Sequence, residues 1–126
     1  MARPRRILLA GMSEADADGI REHLSEYDYQ IQSVAADADA LEQLRAFQPQ
    51  LVLLDTARKS FDAFDACERI KQDSIAMVLM VTSLNSLDDI ERAVESGTDD
   101  FLSTPVNRVE LTRRVENLLR LHDCLR

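Results

Sequence analysis

Short apolar runs alternate along this chain with stretches whose apolar residues recur every three or four positions, the two periods of buried strand and amphipathic helix. Ile7-Leu8-Leu9-Ala10 reads as a short buried strand. Ser13, Glu14, Ala15 and Asp16 follow, a hydroxyl to accept from free backbone N–H groups and acids against the helix dipole. A helix therefore begins there, with Ala17, Ile20 and Leu24 on its inward face. Tyr29 to Val34 alternates apolar and polar, the pattern of a strand exposed on one side and hence near a sheet edge. Asp37 or Asp39 is placed to cap a second helix with Leu41, Leu44 and Phe47 on its apolar face, stopped by Pro49. Leu51-Val52-Leu53-Leu54 is the most hydrophobic strand, and Asp55 stands at its end.

The second half repeats the theme. Phe64, Cys67 and Ile70 mark a helix within Phe61–Lys71, and Ala76 to Val81 is a continuous apolar strand ending at Thr82-Ser83. Ser86 to Ser96 reads as a helix through Leu87, Ile90, Ala93 and Val94, with Gly97 suited to its C-terminal cap. Phe101-Leu102 is a short fifth strand, and a last helix runs from Asn107 with a stripe of Leu111, Val115, Leu118, His122 and Leu125. Strands buried on both faces imply a parallel sheet covered by helices on each side. Right-handed crossovers then favour an α/β, doubly wound, five-stranded parallel sheet with five helices, a flavodoxin-like three-layer sandwich.

Composition narrows the function. With 126 residues, 45% of them hydrophobic, the chain makes one domain with a core of its own, residues 1–126. Its 15 basic and 23 acidic residues give a formal charge of −8, which argues against coating nucleic acid, since phosphate binding rests on a basic face. The apolar stretches are too short and too interrupted for a membrane span or the core of a secretion signal. Cys67 and Cys124 lack paired spacing and a nearby histidine set, so a disulfide framework and a cysteine-type zinc site are excluded, and reduced thiols in a cytoplasmic protein are expected. His23 and His122 fall on helices and read as surface or core filler.

In doubly wound folds the working crevice lies at the carboxyl ends of the strands. That places Gly11, Met12 and Ser13, then Asp55, Thr82 and Ser83, and Ser103, Thr104 and Pro105 in one neighbourhood. An acid ending the most buried strand is poorly solvated and needs a reason to be there. The segments Pro49–Asp55, Val78–Ser83, Glu95-Ser96-Gly97-Thr98-Asp99-Asp100-Phe101-Leu102 and Ser103-Thr104-Pro105-Val106 together resemble the receiver domains of bacterial response regulators, over nearly the whole chain. The resemblance implies a two-component signalling protein rather than an enzyme, with Asp55 at the phosphoacceptor position. It makes Thr82 the switch hydroxyl, Phe101 the switch aromatic and Pro105 the proline of a cis bond. It also implies a histidine kinase or other signalling protein as partner, an output domain beyond Arg126, and a docking or homodimer face on the fourth helix, fifth strand and fifth helix.

The sequence departs from that pattern where charge is handled. Receivers end the first strand in a pair of acids that hold Mg²⁺; here those positions are Gly11 and Met12. Thr104 stands in place of the family's lysine. Neither a missing side chain nor a thioether suits a hard cation, so metal binding is expected to be weak or absent. A phosphoryl group would bring about two negative charges to this acidic chain, and its transfer depends on positioning and charge neutralisation. The expectation is a poorly phosphorylated or phosphorylation-independent interaction module with Asp55 ionised and hydrogen-bonded locally. Glu14, Arg58 and Lys59 are candidates to compensate; Glu14 is more simply read as an acid of the helix start, and Arg58 and Lys59 at least equally as solvated loop charges. The alternative is a conventional switch that takes phosphate on Asp55 from a histidine kinase. A flavodoxin-like cofactor binder ranks last, because Gly11-Met12-Ser13-Glu14 is a poor phosphate cradle.

Overall fold

The expected apolar runs become the strands of one parallel sheet in the computed structural model, which describes residues 4–34, 40–57, 61–83 and 87–125. Among the described residues the strands are β1 (Arg5–Ala10), β2 (Tyr29–Val34), β3 (Leu51–Asp55), β4 (Met77–Thr82) and β5 (Asp100–Ser103), ordered β2-β1-β3-β4-β5. The helices α1 (Glu14–His23), α2 (Ala40–Phe47), α3 (Ala63–Asp73), α4 (Leu87–Glu95) and α5 (Arg108–Cys124) alternate with them. The order reverses after β1, which leads out to β2 on one side while β3, β4 and β5 follow on the other. That switch point is where such sheets open a crevice.

Alternation along the central strands divides the core. Ile7 and Leu9 of β1, Leu51 and Leu53 of β3 and Leu79 of β4 face α1 and α5, meeting Ile20, Leu24, Leu111 and Val115. Leu8, Val52, Leu54, Val78 and Met80 face the other way, toward α2, α3 and α4, and meet Leu44, Cys67, Ile70 and Ala93. The residues of β3 and β4 are buried from end to end. The edge strand β2 is mostly half-buried or exposed, as its alternation requires.

Capping sets the helix starts. The Ser13 side chain accepts from Asp16 N–H at 3.1 Å, and Asn107 accepts from Glu110 N–H at 3.1 Å. Asp62 accepts from Asp65 N–H at 3.0 Å, so α3 starts at Ala63, inside the expected segment, and runs on to Asp73, past its expected end at Lys71. Helix α2 closes with Gln48 at φ 52° before Pro49, and Gly97 takes φ 87° after α4. The candidate caps Asp37 and Asp39, and Ser86, lie outside the described residues.

Two helices depart from their expected faces. On α4 only Ala93 of the described stripe is buried, while Ile90 is 42% and Val94 61% exposed. On α5 the stripe holds through Leu111, Val115, Leu118 and His122, but Leu125 lies past the helix end and is exposed. His122 is thus a core residue, and His23 sits half-buried at the end of α1. Cys67 is buried and Cys124 exposed, both as free thiols. Among the described residues no helix is long and apolar enough to cross a membrane.

Gly19 lies inside α1, and a Cβ added there would meet nothing within 4 Å. Glycine in a helix interior costs about 0.5–1 kcal/mol relative to alanine. Gly19→Ala should therefore raise the thermal midpoint by a few degrees in a calorimetric scan, without changing the far-UV circular dichroism.

Candidate functional site

Strand register assembles the site. Asp55 ends β3 opposite Val81, and Thr82 ends β4 opposite Ser103. Two further backbone bonds carry the ladder past the strand ends: Thr56 N–H donates to Val81 O and Thr104 N–H to Thr82 O, both at 3.1 Å. The Thr104–Pro105 peptide bond is cis. Asp55, Thr82, Gly11, Met12 and Thr104 thus meet at the carboxyl end of the sheet, as the crevice rule expects.

Asp55 is only 5% exposed. Its Oδ1 accepts from Ala57 N–H at 2.8 Å, a local Asx-type bond that sets the turn leaving β3. Burial pushes its carboxyl pKa above the ordinary value; the Ala57 N–H pulls it back, and the negative charge of Asp16 pushes it further up. Thr82 is buried, and its hydroxyl oxygen accepts from the Thr56 hydroxyl at 2.7 Å. Phe101 is half-buried against the α2–α3–α4 side of the core.

Gly11 has φ +80°, a conformation that costs an L residue about 1–2 kcal/mol. A Cβ there would overlap the Phe61 ring and stand 2.9 Å from the Asp55 carbonyl oxygen. Phe61 therefore fills the volume into which a side chain at position 11 would project. Met12 is buried in the core on the α1–α5 side. Sequence reasoning passed over Phe61; the available signal was the glycine itself, whose missing side chain leaves a space that the loop after Asp55 is near enough to fill.

A cleft of about 380 Å³ runs between α1 and the segment after β5. Asp55 opens into it beside Met12, Thr104, Pro105 and Val106, and α1 lines it with Ala15, Asp16, Gly19, Ile20 and His23, one face of the helix. Glu14, named from the sequence as a compensating acid, is exposed at the start of α1 and does not line the cleft. Asp16, two residues on, is the acid whose charge Asp55 feels. Arg58 and Lys59 lie outside the described residues. At the end of α1 opposite Ser13, His23 Nδ1 accepts from Arg108 Nε at 3.4 Å.

The donor set does not suit Mg²⁺. That ion wants octahedral oxygen and keeps several waters that themselves need polar partners. Here the buried Asp55 carboxylate lies beside a thioether and walls such as Ile20, Val81 and Val106, and the other oxygen-bearing side chains of the cleft, Asp16 and Thr104, are exposed and make no hydrogen bond with it. Among the described residues no three His, Cys, Asp or Glu side chains converge.

The family model for the response regulator receiver domain matches residues 7–116, and the chain belongs to that family. It is 31% identical over 121 residues to the DNA-binding dual master transcriptional regulator RpaA of Synechocystis sp., covering 94% of this chain and 50% of that protein. It is 28% identical over 114 residues to the transcriptional regulatory protein AfsQ1 of Streptomyces coelicolor, covering 90% and 51%. The chain thus spans about half the length of these relatives. Among solved structures, the signal receiver domain of a Luxo repressor protein from Vibrio parahaemolyticus superposes with a TM-score of 0.87 at 26% identity, over 97% of this chain and 95% of that one. The protein is a two-component receiver domain with the doubly wound architecture its sequence pattern predicts.

Two outcomes follow from the packing and charge of Asp55 and Gly11. Gly11→Ala combines a positive φ with overpacking against Phe61 and should cost about 2–4 kcal/mol in urea unfolding; the double variant Gly11→Ala/Phe61→Ala should lose less than the sum of the two single variants. Asp55→Asn should raise the thermal midpoint at neutral pH. With a folded pKa above the unfolded value, the native state holds the proton more tightly, so stability falls as pH rises between the two pKa values. The penalty persists above the folded value and vanishes below the unfolded one, so the gain from asparagine should disappear in scans below about pH 4.

Proposed function

We propose that this receiver domain is an atypical member that works as an interaction module with little or no phosphorylation of Asp55. The observation that carries the reading is the donor set around Asp55. Position 11 is glycine with Phe61 in its side-chain space, position 12 is a core methionine, and Thr104 replaces a cation. A phosphoryl group on Asp55 would find no described side chain to neutralise it and an acid, Asp16, already acting against it. Losing one preorganised charge partner in such a transfer costs on the order of a hundredfold in rate.

In this reading the fold is kept because partners dock on it. The apolar side chains of Ile90 and Val94 on α4 and Val109 on α5 are exposed, which supports the α4–β5–α5 face as a docking or homodimer surface. The half-length match to RpaA and AfsQ1 supports an N-terminal module joined to an output domain, in a cytoplasmic signalling protein that meets a histidine kinase or another partner.

Incubation with a small phosphodonor and Mg²⁺, followed by intact mass, tests the proposal. The expected spectrum is the unmodified chain, at times when a receiver with both acids and the lysine is labelled. A rapid, magnesium-dependent phosphoryl adduct that disappears in Asp55→Asn would restore the conventional switch.

A further inference from the structure

We propose that the cleft between α1 and the segment after β5 is a binding site for a small organic cation, a primary ammonium carried on a short alkyl or aryl body, with its charge on Asp55. This rests on the reading that the site holds no metal.

Three observations converge. Asp55 is 95% buried yet opens into a cleft of about 380 Å³, within the size range of small-ligand sites, about 300–1,000 Å³. Its Oδ1 accepts from Ala57 N–H, and its Oδ2 has no hydrogen-bond partner among the described residues. Among the described residues no ion pair reaches Asp55 or Asp16, although the two repel one another. A buried carboxylate without a counter-charge is a costly group, and a second acid facing the same space adds to the cost. A cation entering the cleft beside Asp55 offsets that cost, and the exposed Asp16 on the cleft wall adds a screened attraction.

The walls decide which cation. Met12, Ile20, Pro105 and Val106 present apolar surface that cannot support the water shell of a small metal ion. An alkyl or aryl body matches that surface. Its ammonium brings donors for the free oxygen of Asp55, and the exposed Asp16 carboxylate and Thr104 hydroxyl also line the cleft. Gly19 leaves the α1 wall open, with nothing within 4 Å of its absent Cβ, so there is room for the body beside the helix.

The test is a ¹H–¹⁵N NMR titration of the full chain with butylammonium chloride. Butan-1-ol serves as the neutral analogue, and potassium chloride and magnesium chloride as ionic controls. Saturable shifts are expected at the amides of Gly11 to Ile20 and of Thr104 and Val106, in the millimolar range, with no saturation by the alcohol. Asp55→Asn should weaken the interaction about tenfold or more, as loss of a charged hydrogen-bond partner does. Gly19→Leu should block it with Asp55 intact. Shifts no larger than those from potassium chloride, or shifts indifferent to Asp55→Asn, overturn the proposal. So does binding that emerges only in Arg58→Gln/Lys59→Gln, because the chain's own cation then holds the place. If magnesium and butylammonium are both silent, this inference fails and the metal-free reading stands; saturable magnesium binding at the same amides overturns both.

Discussion

A carboxylate at the end of a strand buried on both faces is the constraint around which this domain is arranged. The sheet that places Asp55 also takes its solvent away, since β3 is central and covered by helices on each side. Removing water from a charge is costly unless other groups replace it. Among the described residues the replacement is sparse: one backbone N–H from Ala57, with Asp16 acting against it. Ladder bonds through Thr56 and Thr104, and the Thr56–Thr82 hydroxyl pair, hold the surrounding turns in place, and the carboxylate meets solvent through the cleft.

The carboxyl end of the neighbouring strand β1 is given over to packing. Where receivers carry acids after the first strand, this chain has a left-handed glycine under an aromatic ring and a methionine inside the core. These substitutions support one another. Phe61 can occupy its place only because position 11 has no side chain, and Met12 extends the core built by Ile20 and Val81. In the reading proposed above, apolar contacts that stabilise the fold stand where polar ligands would serve chemistry, a trade familiar from functional sites, which are usually less stable than the packing that could fill them.

Much of this was legible in the residues. The strands announced themselves because a sheet buried on both faces requires continuous apolar runs, and Leu51–Leu54 satisfies that requirement without exception. Ser13, Asn107 and Gly97 marked helix ends because their roles there are local. What stayed hidden depends on three-dimensional neighbours. Periodicity could not show that Ile90 and Val94 face outward, since a helix at a protein surface can expose the same residues it could bury. Helix phase within one turn decided that Asp16 rather than Glu14 faces the cleft, and nothing in composition distinguishes those two acids. Phe61 over Gly11 is a contact across fifty positions that no local pattern encodes.

The pairing of β1 with β3 carries one more implication. Ile7 to Ala10 lie against Leu51 to Leu54, partners roughly forty positions apart in the chain, with the β2 edge strand looped out between them. The heart of the sheet therefore cannot close until the polypeptide has been synthesised through Leu54, and non-local closure of this kind is slow compared with helix formation. Asp55 is the next residue to emerge. The moment at which the domain first acquires an interior is thus also the moment at which its one central charge is drawn toward it, so biosynthesis meets the same electrostatic problem before any partner does.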